Sequence, residues 1–140
     1  IPGTTLRDSI NDFIPSGKSG LIPMASINNL FLWDPFERKV VETYNFPEND
    51  RTTFGASFED RHGNFWNSSH DNLTFINREL EEQHDYKFGV GVLSFKGAPK
   101  DIGSIQPLLE ESQYVWFLVN DNNSRNSSVL RYDYKKRVFE

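Results

Sequence analysis

No cysteine occurs in the 140 residues, which removes disulfide scaffolds, thiolate zinc sites and thiol nucleophiles. Basic charge is in deficit: 15 Lys plus Arg stand against 20 Asp plus Glu, for a net charge of −5. That balance speaks against a nucleic-acid footprint. No apolar run approaches the roughly 20 residues that cross a bilayer as a helix, so no membrane contact is expected from this segment. The N-terminal residues do not read as a cleavable signal peptide. No Gly-x-Ser-x-Gly, phosphate-binding Gly loop or Gly-x-Gly-x-x-Gly is present. His62, His70 and His84 are the three histidines, and no His-x-x-x-His spacing links them. Since a metal site needs three or four converging ligands, no metal and no cofactor are expected.

What the chain has is aromatic residues, 14% of the total, enough for a packed core within one domain at most. Short runs of aromatic and β-branched residues recur: Leu30–Trp33, Lys39–Tyr44, Phe54–Phe58, Leu73–Ile76, Phe88–Phe95, Tyr114–Val119, Val129–Tyr134 and Arg137–Phe139. Gly, Pro, Asn, Asp and Ser separate them, so the chain reads as all-β. The stretch Asn77–His84 carries one strong apolar residue, Leu80. An amphipathic helix needs several at i, i+3 and i+4, so a charged hairpin loop is expected there.

The runs repeat. Leu30-Phe-Leu-Trp-Asp34, Leu73-Thr-Phe-Ile-Asn77 and Val129-Leu-Arg-Tyr-Asp133 share an apolar first residue, a large fourth residue and a terminal Asp or Asn. A charged turn and a further strand follow each. Gly20–Leu30 overlays Gly63–Leu73 without a gap, and Phe58–Trp66 overlays Leu108–Trp116, matching Asp60 with Glu110 and Trp66 with Trp116. The third copy carries about six extra residues within Asp121–Ser128. A unit of roughly 40–50 residues with about four strands is the pattern of a β-propeller blade. The expected fold is therefore a partial β-propeller of about three four-stranded antiparallel blades, with units near 1–46, 47–96 and 97–140.

The stretch Ser57–Asn77 resembles the two-component-regulator propeller repeat. Glu59, Asp60, Gly63, Asn64, Trp66, Leu73 and Asn77 stand at matching places, while Ser68 and Asn72 replace two glycines of the pattern. The third copy keeps Glu110, Trp116, Leu130 and Asp133 without the Gly-Asn turn. The first keeps Gly20, Leu30 and Asp34, with Pro23 in place of Trp. In that family the repeats build the periplasmic sensor region of hybrid histidine kinases of gut Bacteroidetes, and the ligands are polysaccharide breakdown products. The resemblance thus implies a periplasmic or extracellular ligand-sensing segment without catalysis, and an oligosaccharide as the partner. A sialidase-type Asp-box has Gly two residues after Asp. Here Asp60 and Gly63 are three apart, which favours the regulator repeat.

The motif residues have structural work independent of any family. Asp60 precedes a tight turn and can accept its backbone N–H groups. Gly63 can take the positive φ of that turn, and Trp66 offers a large surface to fill the wedge between neighbouring sheets. The carboxylate pairs Glu59-Asp60, Glu81-Glu82 and Glu110-Glu111 are adjacent, so on strands they point to opposite faces. Glycoside hydrolysis needs two carboxyls facing each other across a cleft, which adjacent residues do not provide. Four Asn-x-Ser/Thr sequons begin at Asn67, Asn72, Asn122 and Asn126, and Phe88-Gly-Val-Gly-Val-Leu suggests a bulge. Trp33, Phe36, Tyr44, Tyr132 and Tyr134 flank turns and are the aromatic candidates for ligand contact. Three units do not close a ring of at least four blades. The Ile1 start and Glu140 end favour a piece of a longer chain, whose remaining blades complete the ring. Self-association of two copies into six blades is the alternative. A sialidase- or lyase-like enzyme and a protein-interaction propeller are the rival functions.

Overall fold

The computed structural model describes residues 17–46, 56–88, 102–123 and 126–140, and all regular structure among them is β. Three antiparallel sheets follow in chain order. The first holds β1 (Ile22–Ala25), β2 (Asn29–Asp34) and β3 (Lys39–Asn45). The second holds β4 (Ser57–Glu59), β5 (Phe65–Ser68), β6 (Asn72–Asn77) and β7 (Glu82–Lys87), and the third β8 (Ile102–Glu110), β9 (Tyr114–Asp121), β10 (Ser127–Asp133) and β11 (Val138–Phe139). Within each sheet consecutive strands are neighbours. The stretch Asn77–His84 is a hairpin, as its single apolar residue implies, with only residues 78–81 in the turn.

The sequence repeat is a structural repeat. β1 and β2 recur as β5 and β6 at a spacing of 43 residues, end for end. The counterpart of β4 in the first sheet would fall at residues 14–16, outside the described residues. The recurring Asp or Asn has one task in all three sheets, which is to cap the turn after it. Asp34 Oδ1 accepts the N–H groups of Phe36 and Glu37 at 2.9 and 3.2 Å, and Asp133 Oδ1 accepts those of Lys135 and Lys136 at 2.9 and 3.1 Å. Asn77 Oδ1 accepts the N–H of Leu80 at 3.1 Å. Each turn ends on a residue in the left-handed region: Arg38 at φ 56°, Glu81 at φ 55° and Arg137 at φ 58°. Gly20 and Gly63, one repeat apart, have φ 79° and 81°. That conformation costs a side-chain-bearing residue energy that glycine avoids.

The third sheet departs from the second by one residue. Phe58 pairs with Trp66 in β4–β5, whereas Leu109, not Leu108, pairs with Trp116 in β8–β9. The turn 112–113 is one residue shorter than the turn 61–63, and a bulge between Pro107 and Leu109 restores the count. Glu59 therefore corresponds to Glu110, and Asp60 to Glu111, so the expected match of Asp60 with Glu110 is corrected by one position.

Alternation explains the packing. In the second sheet Phe65 and Ile76 point to the first sheet, joining Leu30, Leu32 and Phe46. Phe58, Trp66, Leu73 and Phe75 point the other way, onto Val115, Phe117, Val119, Leu130 and Tyr132 of the third. Covered on both faces, β5 is buried at every position and β6 at all but its last. In β2 and β9 buried and half-buried positions alternate, since one face alone is covered. Trp66 is fully buried, its ring 5.3 Å from Phe117 and 5.2 Å from Tyr132. Trp116, its counterpart, lies half-buried on the outer face of the third sheet.

Two strands are weakly marked in sequence. β7 reads Glu-Gln-His-Asp-Tyr-Lys and is an edge strand whose charges face water. β8, also an edge, carries Gly103 and Pro107 at its two bulges, where such residues are tolerated. Most of the 88–93 segment lies outside the described residues. Truncation of Trp66 to Ala is expected to cost about 3–5 kcal/mol in urea unfolding. Trp116→Ala should cost less than half as much in the monomer; equal losses would contradict the placement of the two indoles.

Candidate functional site

Asp60 is fully buried, and a carboxylate there is tolerated only if its oxygens are satisfied. They are. Oδ1 accepts the backbone N–H groups of His62 and Asn64, each at 2.9 Å. Oδ2 accepts the indole N–H of Trp66 at 2.9 Å and the phenol of Tyr134 at 2.6 Å. Tyr134 belongs to the β10–β11 turn, so this one carboxylate ties the third sheet to the second. Burial, followed by the Asp60 charge, pushes the Tyr134 phenol above its ordinary pKa. The counterpart Glu111 accepts the Trp116 indole N–H at 2.5 Å.

Further clasps follow the same plan in both seams. Glu59 Oε1 accepts the Ser19 N–H at 3.0 Å and its hydroxyl at 2.8 Å, while Glu110 Oε1 accepts the Arg61 N–H at 2.9 Å. Arg78 of the β6–β7 turn grips Glu42 of β3 through Nε at 3.0 Å and a terminal nitrogen at 2.6 Å. Arg137 of the β10–β11 turn meets Glu82 of β7 at 2.5 Å. The Arg78 guanidinium holds the Glu42 carboxyl below its usual range. The Tyr44 phenol donates to Glu42, and burial, then that carboxylate, pushes it up to about 12.

A cleft of about 400 Å3 opens where the β4–β5, β6–β7 and β10–β11 turns meet. Tyr134 is its accessible aromatic ring, Phe75 and Tyr132 reach the lining almost wholly buried, and His62, Gly63, Asn64, Asn77, Glu79, Leu80 and Arg137 complete it. The His62 ring lies 4.4 Å from that of Tyr134, and its Nε2–H donates to the Ser112 carbonyl at 2.8 Å. Of the aromatic candidates the cleft brings together Tyr132 and Tyr134. Trp33 lies on the outer face of the first sheet, Tyr44 is engaged with Glu42, and Phe36 projects into solvent, 94% exposed. Asp34, Asp133 and Gly63 serve turns. Glu79, Leu80 and Arg137 of the lining were not legible as site residues, because turns of two different sheets deliver them.

The other polar candidates also have structural partners. His70 Nδ1–H donates to the Gly103 carbonyl at 2.9 Å, and His84 is 3.4 Å from Glu82. Asn67 and Asn72 are buried, so two of the four sequons present no acceptor surface.

No family model matches the chain, and no curated protein matches it. A solved structure described as the extracellular domain of a one-component system of B. thetaiotaomicron is similar at 18% identity and a TM-score of 0.48. The similarity covers 89% of this chain and 17% of that one, so the chain spans a small part of its length.

The raised phenols set an alkaline limit. Below about pH 10 Tyr44 and Tyr134 are protonated in both folded and unfolded states, and stability is complete. Between about pH 10 and 12 the unfolded chain loses protons that the folded chain keeps, so stability falls as pH rises. Urea midpoints measured through this range should fall less steeply in Tyr44→Phe and Tyr134→Phe; an unchanged slope in both would refute the assignment.

Proposed function

We propose that the chain is a non-catalytic, ligand-binding segment of a periplasmic or extracellular sensor, its three sheets serving as blades of a partial β-propeller. Repetition of one contact supports the propeller reading. β1 lies against β4 and β5 against β8, so successive sheets meet through corresponding strands, as blades around an axis do. The sensor role rests on the resemblance of Ser57–Asn77 to the two-component-regulator repeat, since a fold alone does not fix function.

The observation that carries ligand binding is the cleft between the second and third sheets. The half-buried Tyr134 ring and the exposed His62 ring lie among amide, carboxylate and guanidinium groups, while Phe75 and Tyr132 are almost wholly buried in the seam. Such a combination stacks on the apolar face of a sugar ring and hydrogen-bonds its hydroxyls. A poly- or oligosaccharide fragment is the ligand class proposed. The chemistry of the cleft supports binding over hydrolysis. Asp60, beneath it, already accepts four hydrogen bonds, and among the described lining residues Glu79 is the one carboxylate. A glycosidase needs two facing each other.

Calorimetric titration with a panel of oligosaccharides tests the reading. Binding of at least one is expected, and Leu80→Arg, a change at an exposed rim position, should weaken it about tenfold, or 1.4 kcal/mol. Silence across the panel, or an affinity indifferent to Leu80→Arg, would reject the cleft as the site.

A further inference from the structure

The charges around the cleft do not cancel. Glu79 lines it, is exposed, and forms no ion pair among the described residues. Behind the Tyr134 wall lies Asp60, whose four donors are two amides, an indole and a phenol. All four are neutral, so they satisfy its oxygens and leave its charge uncompensated. The cations of the surrounding turns are committed to other partners. Arg137 is 2.5 Å from Glu82, Lys136 3.4 Å from Glu140, and Arg78 2.6 Å from Glu42. The Arg61 guanidinium turns to the Glu110 carbonyl at 3.4 Å. Lys135 is exposed and outside the lining. A negative field therefore remains at the opening, and the low-dielectric walls of a cleft focus such a field.

Asn64 supplies a second, independent observation. It lines the cleft and is 7% exposed, yet its carboxamide has no hydrogen-bond partner among the described residues. Its backbone alone is engaged, with Asp60. A largely buried amide without a partner costs free energy, which a ligand reaching it would restore. We infer that the cleft takes a saccharide bearing a protonated amine, with Glu79 as its counter-charge and the Asn64 carboxamide oxygen as a further acceptor. The inference rests on the saccharide reading of this cleft and narrows it to one class. An ammonium has three N–H donors and no acceptor, which suits carboxylate and amide oxygens. The Tyr134 ring adds a surface that attracts a cation. A uronate or sulfated sugar would meet Glu79 with no uncommitted cation in the lining to balance it. An N-acetylated amine would bring no charge for Glu79 to pair with.

Titration calorimetry with glucosamine oligomers, their N-acetylated counterparts, neutral gluco-oligosaccharides and galacturonate oligomers tests the inference. The glucosamine oligomers, with their amines protonated, should bind at least about tenfold tighter than the other three classes. Raising the salt from about 0.1 to 1 M shortens the screening length from about 10 to 3 Å and should remove most of that preference. Glu79→Gln, at an exposed position, should weaken the glucosamine oligomers about tenfold and change the neutral ones less than about twofold. Asn64→Ala should weaken them as well while the urea midpoint stays near that of the wild type, since no hydrogen bond within the protein is lost. A neutral or acidic oligomer that binds tightest, and loses affinity with Leu80→Arg, overturns the inference and leaves the cleft a saccharide site. Glucosamine oligomers held by either Glu79→Gln or Asn64→Ala as tightly as by the wild type also overturn it, because attraction to the acidic chain at large would then account for them. Silence from all four classes overturns both the inference and the saccharide reading beneath it.

Discussion

A buried carboxylate costs several kcal/mol unless its oxygens find donors, and Asp60 finds four. Two are amides of its own turn, one is the indole of the strand that follows, and one is a phenol from the next sheet. The first three shape the second sheet. The fourth fixes the third sheet against it, at the point where the Trp66 ring fills the space between them. The cleft lies along the same junction, and its wall residue Tyr134 is held in place by Asp60. Local turn geometry, sheet-to-sheet packing and the candidate site therefore share a single anchor.

Elsewhere the repeat preserves the plan and changes the residues. The backbone N–H that closes a seam comes from Ser19 in one case and Arg61 in the other, and its acceptor is Glu59 or Glu110. The guanidinium that reaches back to the preceding sheet is Arg78 or Arg137, its partner Glu42 or Glu82. Such pairs are half-exposed and individually contribute little. Their effect is to set the orientation in which the large apolar surfaces meet, and those surfaces supply most of the stabilisation.

The spacing of 43 residues was legible because hydrophobic alternation and the terminal Asp or Asn recur without a gap, and strand geometry preserves that register. The one-residue shift in the third sheet was hidden. A turn shortened by one residue and a bulge lengthened by one cancel in the sequence, so Glu110 occupied the place that Glu111 holds in space. The left-handed turn positions gave no signal, since Arg38, Glu81 and Arg137 are not residues that favour positive φ. β7 and β8 were obscured by the charge of one edge and by Gly103 and Pro107 in the other. The contact between Tyr134 and Asp60 spans 74 residues, and no local pattern reports a pairing of that range. The cleft was only half legible for the same reason: Tyr132 and Tyr134 stood out as aromatics beside a turn, while Glu79, Leu80 and Arg137 become neighbours only when two sheets pack.

Asp60 joins two sheets, through the Tyr134 phenol, and does not merely shape its own turn. A double-mutant cycle with Asp60→Asn and Tyr134→Phe, read by urea unfolding of the two single variants and the double variant, isolates that bond. A coupling of about 1.5–3 kcal/mol is predicted for a hydrogen bond to a buried charge. Losses that add to within about 0.5 kcal/mol would show that the phenol and the carboxylate act independently, and would contradict it.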